Sequence, residues 1–261
     1  MILKFKFKNS VENTLQINDF SVQMIKKILQ ENTYKVFDDI LEVRLYEEKC
    51  DLLKVDKKIE IIYEDEYLLI VNKPSFLDCS SSRRHYEDNL SNYIAAYYQK
   101  KHIHSTIHLV NRLDYKTEGL IIVAKHGYIH HLFRNIKVLK KYLLITDNTF
   151  SNNRGFINIK ILKEDGKIKR IISSKGKNSL TEYKIIKNYD NKSLVEAILH
   201  TGRTHQIRLS FASINHSLVG DQMYGNYQEN NKLCLCAYYL KFNHPINHQE
   251  LIFQIKPSFL K

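Results

Sequence analysis

Two hydrophobic periods run through this chain, and they predict different elements. Phe20, Met24, Ile25, Ile28 and Leu29 recur at three- and four-residue intervals, which predicts a helix over 20–29 with Asp19 or Ser21 as its cap. Leu90, Tyr93, Ile94 and Tyr97 predict a second helix over 89–100, and helical spacing returns over 127–137 and 204–214. Elsewhere the period shortens to that of strands. The segment EIIYEDEYLLIVNKP reads as two strands around an acidic turn, the second closed by Pro74, which cannot donate to a ladder. Leu120 to Ala124 is a continuous apolar strand, and further strands are predicted at 141–146, 156–162, 168–173, 181–187, 194–200, 233–241 and 251–255. Strands and helices do not alternate as βαβ units would, so the pattern predicts an α+β domain on a mixed, largely antiparallel sheet with flanking helices.

Residues 34–62 break into short alternating pieces that end in the charged run KVDKKIE, which sets a domain boundary near residue 60. A small N-terminal α/β region, 1–60, then precedes a larger domain, 61–261. At 261 residues the chain has ample core without cross-links. Its net charge of +12 alters the reading further. Lys and Arg balance Asp and Glu over 1–60, so the whole excess lies in 61–261, and a polyanionic partner, nucleic acid ahead of a membrane surface, is expected there. Cys50, Cys79, Cys234 and Cys236 have neither zinc-ligand nor secreted-framework spacing and read as reduced thiols. No apolar run has transmembrane length, and MILKFKFKNS lacks the apolar core of a signal peptide, so a cytoplasmic protein is expected.

Two segments carry candidate chemistry. In HLVNRLDYKTEGLIIVAKH, Asp114 follows the cation Arg112 and precedes Gly119, which permits a sharp turn into the apolar strand. A carboxylate on a loop braced by that strand can reach a cleft. In HTGRTHQIRL, Gly202 breaks a strand and Thr204 can cap a helix whose buried face is Ile207, Phe211 and Ile214. Arg203, His205 and Arg208 then gather near the helix start, a place where cations are unfavourable unless an anion joins them. A third stretch, Lys160 to Lys177, is rich in Lys and Arg and reads as a basic hairpin able to grip phosphates.

Taken in order, YEDEYLLIVNKP, NRLDYKTEGLIIVAK, KKYLLI, TGRTHQIRL and VGDQMYG resemble the RluA/RluD-type pseudouridine synthases across residues 61–255. The resemblance implies the pseudouridine synthase fold with a central RNA-binding cleft. It also implies a cofactor-free, metal-free isomerisation of uridine in ribosomal or transfer RNA, in which the glycosidic bond from nitrogen is replaced by one from carbon. By the same resemblance Asp114 is the catalytic carboxylate, nucleophile or base at the ribose. Tyr142 would pack on the target base and move a proton, and Arg208 would pair with the carboxylate and keep it ionised. A stacked uridine must be everted, and Arg112 is the candidate for the vacated space. Lys73, Arg203, His205, Lys167, Lys169 and Arg170 complete the expected RNA contacts of a monomer with no membrane partner.

The chain also departs from the family pattern. Asn111 stands where the family commonly has His, and Glu118 where it commonly has Ser; the extra carboxylate is expected to repel phosphate or raise the pKa of Asp114. The segment 20–31 resembles the helix of a small RNA-binding module without its glycine-bearing turn, so residues 1–60 read as a degenerate version of it. The rival reading is a catalytically silent RNA-binding or ribosome-assembly protein on the same scaffold. A general nuclease is disfavoured because no metal-binding carboxylate cluster or paired-histidine arrangement stands out.

Overall fold

A computed structural model describes residues 1–82, 86–227 and 231–260. The chain begins with strand β1 (Ile2–Lys6), helices α1 (Val11–Ile17) and α2 (Val22–Glu31), and strands β2 (Tyr34–Phe37) and β3 (Ile40–Arg44). The strands form an antiparallel sheet in the order β1-β3-β2. Ser21 is extended and its hydroxyl accepts from the Met24 amide, so α2 starts two residues later than the apolar spacing alone predicts. Ser10 caps α1 in the same way through the Asn13 amide, a helix the spacing did not predict.

Among the described residues the second sheet has eleven strands: β4 (Glu60–Glu64), β5 (Leu68–Lys73), β6 (His108–Leu109), β7 (Glu118–Ala124), β8 (Leu139–Asp147), β9 (Arg154–Lys163), β10 (Arg170–Ile172), β11 (Lys177–Asn188), β12 (Lys192–Leu199), β13 (Leu235–Asn243) and β14 (Glu250–Gln254). Its main path runs β10-β9-β11-β12-β8-β13-β7-β5-β4, and helices α3 (Leu90–Lys100), α4 (Gly127–Leu132) and α5 (Gln206–Ala212) complete the domain. All of these pairings are antiparallel except β13 with β7, which meet in parallel at Cys236↔Glu118 and Ala237↔Gly119. That junction holds the two halves of the sheet together. Gly119 makes it possible: its φ is +128°, and a Cβ there would lie 2.6 Å from the Ala237 backbone nitrogen.

β5 and β7 read as unbroken apolar runs because the sheet is covered on both faces. Leu69, Val71, Ile121 and Val123 join one core with Tyr93, Ile94, Tyr142, Ile207 and Phe211. Leu68, Ile70, Leu120 and Ile122 join the other with Leu3, Leu15, Phe20, Ile25, Ile28 and Leu41 of the N-terminal sheet and its helices. Phe20 stacks on Tyr128 at 3.9 Å between ring centres, and the Tyr128 hydroxyl donates to the Asn18 carbonyl at 2.7 Å. Among the described residues no helix is long and apolar enough to cross a membrane.

Two predicted helices come out shorter. Over 127–137 only Gly127–Leu132 is helical, opened by His126, whose Nδ1 accepts from the Tyr128 amide. Over 204–214 the helix is Gln206–Ala212, and Thr204 is not its cap. His205 takes that position in the left-handed region, with φ +59°, and makes no capping hydrogen bond through its side chain.

Candidate active site

Asp114 lies on the loop between β6 and β7, and side chains buried beneath that loop set its course. Asn111 donates from Nδ2 to the Leu120 carbonyl at 3.1 Å and accepts the Ile122 amide at 2.8 Å, tying the loop to β7 before Asp114 is reached. The Cys79 sulfur lies 3.2 Å from both the amide and the carbonyl of Leu113. The Thr117 amide then donates to the Asp114 carbonyl at 3.0 Å, closing the turn. With the backbone fixed, the Asp114 side chain is 27% exposed and points into a cleft of about 760 Å³.

Arg208 reaches the same cleft from α5. Its Nε and one terminal nitrogen each donate to Asp221 at 2.8 Å, and its other terminal nitrogen faces Asp114 Oδ2 at 3.9 Å. The main partner of Arg208 is therefore Asp221, in the turn after α5, and Asp114 receives the remaining corner of the guanidinium. Asp221 is in turn held by the amides of Met223 and Tyr224, at 2.9 and 3.2 Å. Burial works to raise the Asp221 pKa, but the Arg208 hydrogen bonds and charge, with those amides, hold it below the ordinary value. Arg208 itself is raised: burial opposes its charge and Asp221, then Asp114, outweigh burial. Asp221 is not among the residues expected from the sequence, although it stands in the VGDQMYG motif.

Tyr142 sits in the middle of β8, 7% exposed, flanked across both ladders by Ala197 and Ala237. It lines the cleft together with Asp114 and Arg208. Burial, then the charge of Asp114, pushes its hydroxyl pKa up, so the phenol stays protonated at neutral pH.

Arg112, Arg203 and His205 line the same cleft, the two arginines exposed and His205 buried. His205 Nδ1 pairs with the Tyr224 hydroxyl at 2.9 Å, and burial lowers its pKa. Tyr224 also accepts the Arg170 amide at 2.8 Å, and its ring lies 5.2 Å from the Arg208 guanidinium carbon and 5.5 Å from Lys169 Nζ. It joins the basic β9–β10 hairpin to the carboxylate pair. Lys167 and Lys169 stand exposed on that hairpin, and Ile168 between them reaches the cleft.

The structure corrects two expectations. Lys73 is fully buried, so it is not a surface RNA contact. Its ammonium donates to the carbonyls of Leu77 at 2.8 Å, Pro74 at 2.9 Å and Tyr115 at 3.4 Å, and burial pushes its pKa down to about 8. It pins the Asp114 loop from below. Nor does Glu118 present an open charge beside the turn: it is buried, paired with Lys232 at 2.9 Å, and accepts the Ser258 amide at 2.8 Å and hydroxyl at 2.6 Å. Among the described residues no group of three or more His, Cys, Asp or Glu is arranged to hold a metal ion.

The sequence profile of the RNA pseudouridylate synthase family matches residues 67–213, which span Asp114, Tyr142 and Arg208. The uncharacterized RNA pseudouridine synthase YjbO of Bacillus subtilis is 32% identical over 247 residues, covering 92% of this chain and 85% of that protein. Ribosomal large subunit pseudouridine synthase D of Zymomonas mobilis is 31% identical over 219 residues, 76% of this chain and 69% of the relative. The fold matches that of human RNA pseudouridylate synthase domain containing 1, with a TM-score of 0.63 at 22% identity over 78% of this chain and 85% of the human one. With a matching profile over more than half its length and a relative aligned over nearly all of it, this chain belongs to the RNA pseudouridylate synthase family and is an RNA pseudouridine synthase.

Proposed function

We propose that the enzyme converts uridine in the RNA of the large ribosomal subunit to pseudouridine, with Asp114 as the catalytic carboxylate. The substrate class rests on the name of the Zymomonas mobilis relative; the +12 charge favours a polyanion of any kind. The observation that carries the assignment of Asp114 is its place in one cleft, 3.9 Å from a buried guanidinium that Asp221 already holds. A cation fixed at that distance orients the carboxylate without occupying it with a tight ion pair. Its oxygens stay available to attack ribose carbon 1 or to take a proton from carbon 2.

In this reading the uridine leaves its stack, its ring rests on Tyr142, and Arg112 fills the vacated space in the RNA. The protonated phenol of Tyr142 is suited to shuttle a proton once the carbon–carbon bond has formed. Arg203, His205, Lys167, Lys169 and Arg170 hold the surrounding phosphates, within a catalytic domain of residues 61–261. Residues 1–60 act as an accessory module.

The test is to map pseudouridines in total RNA from cells with and without the gene, then to restore the gene as wild type or as Asp114→Asn. A ribosomal position should lose its pseudouridine on deletion and regain it with the wild type alone. Restoration by Asp114→Asn would overturn the catalytic assignment, and loss confined to transfer RNA would overturn the substrate class.

A further inference from the structure

We propose that Phe76 is a stacking platform for an unpaired base next to the target nucleotide, at the mouth of the Asp114 cleft. Phe76 has φ +60°, whereas every other non-glycine residue with positive φ among the described residues is Asn, Asp or His. Those side chains are short or polar and tolerate the left-handed region; a bulky aromatic is an outlier there, held only where its surroundings leave no choice. Here the surroundings are plain. The Lys73 ammonium binds the carbonyls of Pro74 and Leu77 on either side of Phe76, and the Leu77 amide donates to the Tyr115 carbonyl at 3.1 Å.

This strained position does not bury the ring. Phe76 remains 39% exposed, edge-on to Tyr115 with ring centres 5.9 Å apart and planes at 82°. Tyr115 follows Asp114 directly and lines the cleft, whereas Phe76 adjoins the lining from outside. Lys116 Nζ lies 5.5 Å from the centre of the Phe76 ring. An exposed aromatic beside a cation, on a chain of net charge +12, matches a nucleobase with its phosphate. The target base itself belongs deeper, at Tyr142, so the platform serves a neighbour. This rests on the cleft being the RNA site. The test below reads binding without turnover and so does not depend on Asp114 acting as proposed.

A fluorescein-labelled short oligouridylate, and the same strand carrying one 2-aminopurine, should bind the full-length protein, with the 2-aminopurine emission quenched by stacking. Phe76→Gly removes the ring at a φ that glycine adopts without strain, so its melting temperature should hold or rise. Its Kd should weaken roughly 5- to 100-fold, and the quenching should fade. Phe76→Trp should restore both, and Phe76→Asn, which also tolerates this φ, serves if the glycine variant folds poorly. An unchanged Kd and quench in the ring-less variants, or a wild-type protein that neither binds the strand nor quenches it, would overturn the platform and leave the exposed ring to a protein partner.

Discussion

Arg208 is bound by Asp221 through two 2.8 Å hydrogen bonds and meets Asp114 only at 3.9 Å. A guanidinium fixed on two nitrogens can hold its third at a constant distance from a second carboxylate, so Asp221 governs the site without reaching the cleft. Asp221→Asn would leave Arg208 buried with half its pairing, at a cost of about 3 kcal/mol near neutral pH, and turnover should fall with it. The folded pKa of Asp221 lies below its ordinary 3.8, so the stabilisation is complete above that value and is lost as pH falls through the folded pKa. Urea unfolding of both proteins should therefore show a stability gap that closes in acid. A gap that persists undiminished at the lowest workable pH would refute this account of the pair.

Lys73 shows the opposite sign. Its pKa falls from 10.5 to about 8 because burial disfavours the ammonium. The unfolded chain therefore binds the extra proton more tightly, and the cost of keeping Lys73 charged is present in full below pH 8 and lifts as pH rises toward 10.5. Measured against Lys73→Met, wild-type stability should gain up to roughly 3 kcal/mol across that window. A flat difference would mean that the amine is hydrated rather than buried. The same substitution leaves the Pro74 and Leu77 carbonyls without their donor, and turnover should drop at neutral pH as the Asp114 loop loosens.

Gly119→Ala tests the parallel junction of β7 and β13. An added methyl would collide with the Ala237 backbone while forcing a positive φ on alanine. A loss of roughly 3 kcal/mol is expected, more than a cavity-free surface change could give. Thermal unfolding of the variant within a few degrees of wild type would show that the strands can separate there at little cost.

RNA affinity should fall steeply as salt rises. If Lys167, Lys169 and Arg170 each neutralise one phosphate, replacing all three with Gln should flatten the slope of log K against log salt by about 2. Titrations at several salt concentrations decide the matter: an unchanged slope removes the hairpin from the phosphate contacts.

Much of this architecture was legible in local pattern. The unbroken apolar runs of β5 and β7, the serine cap before α2 and the proline closing β5 are each set by neighbours within a few residues, and steric and solvation rules act at that range. The excess of positive charge in 61–261 is likewise a property of composition. Order and spacing of motifs also placed Asp114 on a turn ahead of a buried strand.

What folding decided is which charge meets which. Arg208 was expected to answer to Asp114 and answers first to Asp221; Glu118 was expected to trouble the turn and is paired with Lys232 and hydrogen-bonded by Ser258 from far along the chain. Lys73 looked like a surface cation and lies fully buried. The helix carrying Arg208 starts at Gln206 because His205 turns into the left-handed region, a backbone choice that residue identity leaves open. Local sequence selects among a few backbone shapes, but burial and ion pairing depend on distances between segments far apart in the chain, and those exist only once the sheet has closed around them.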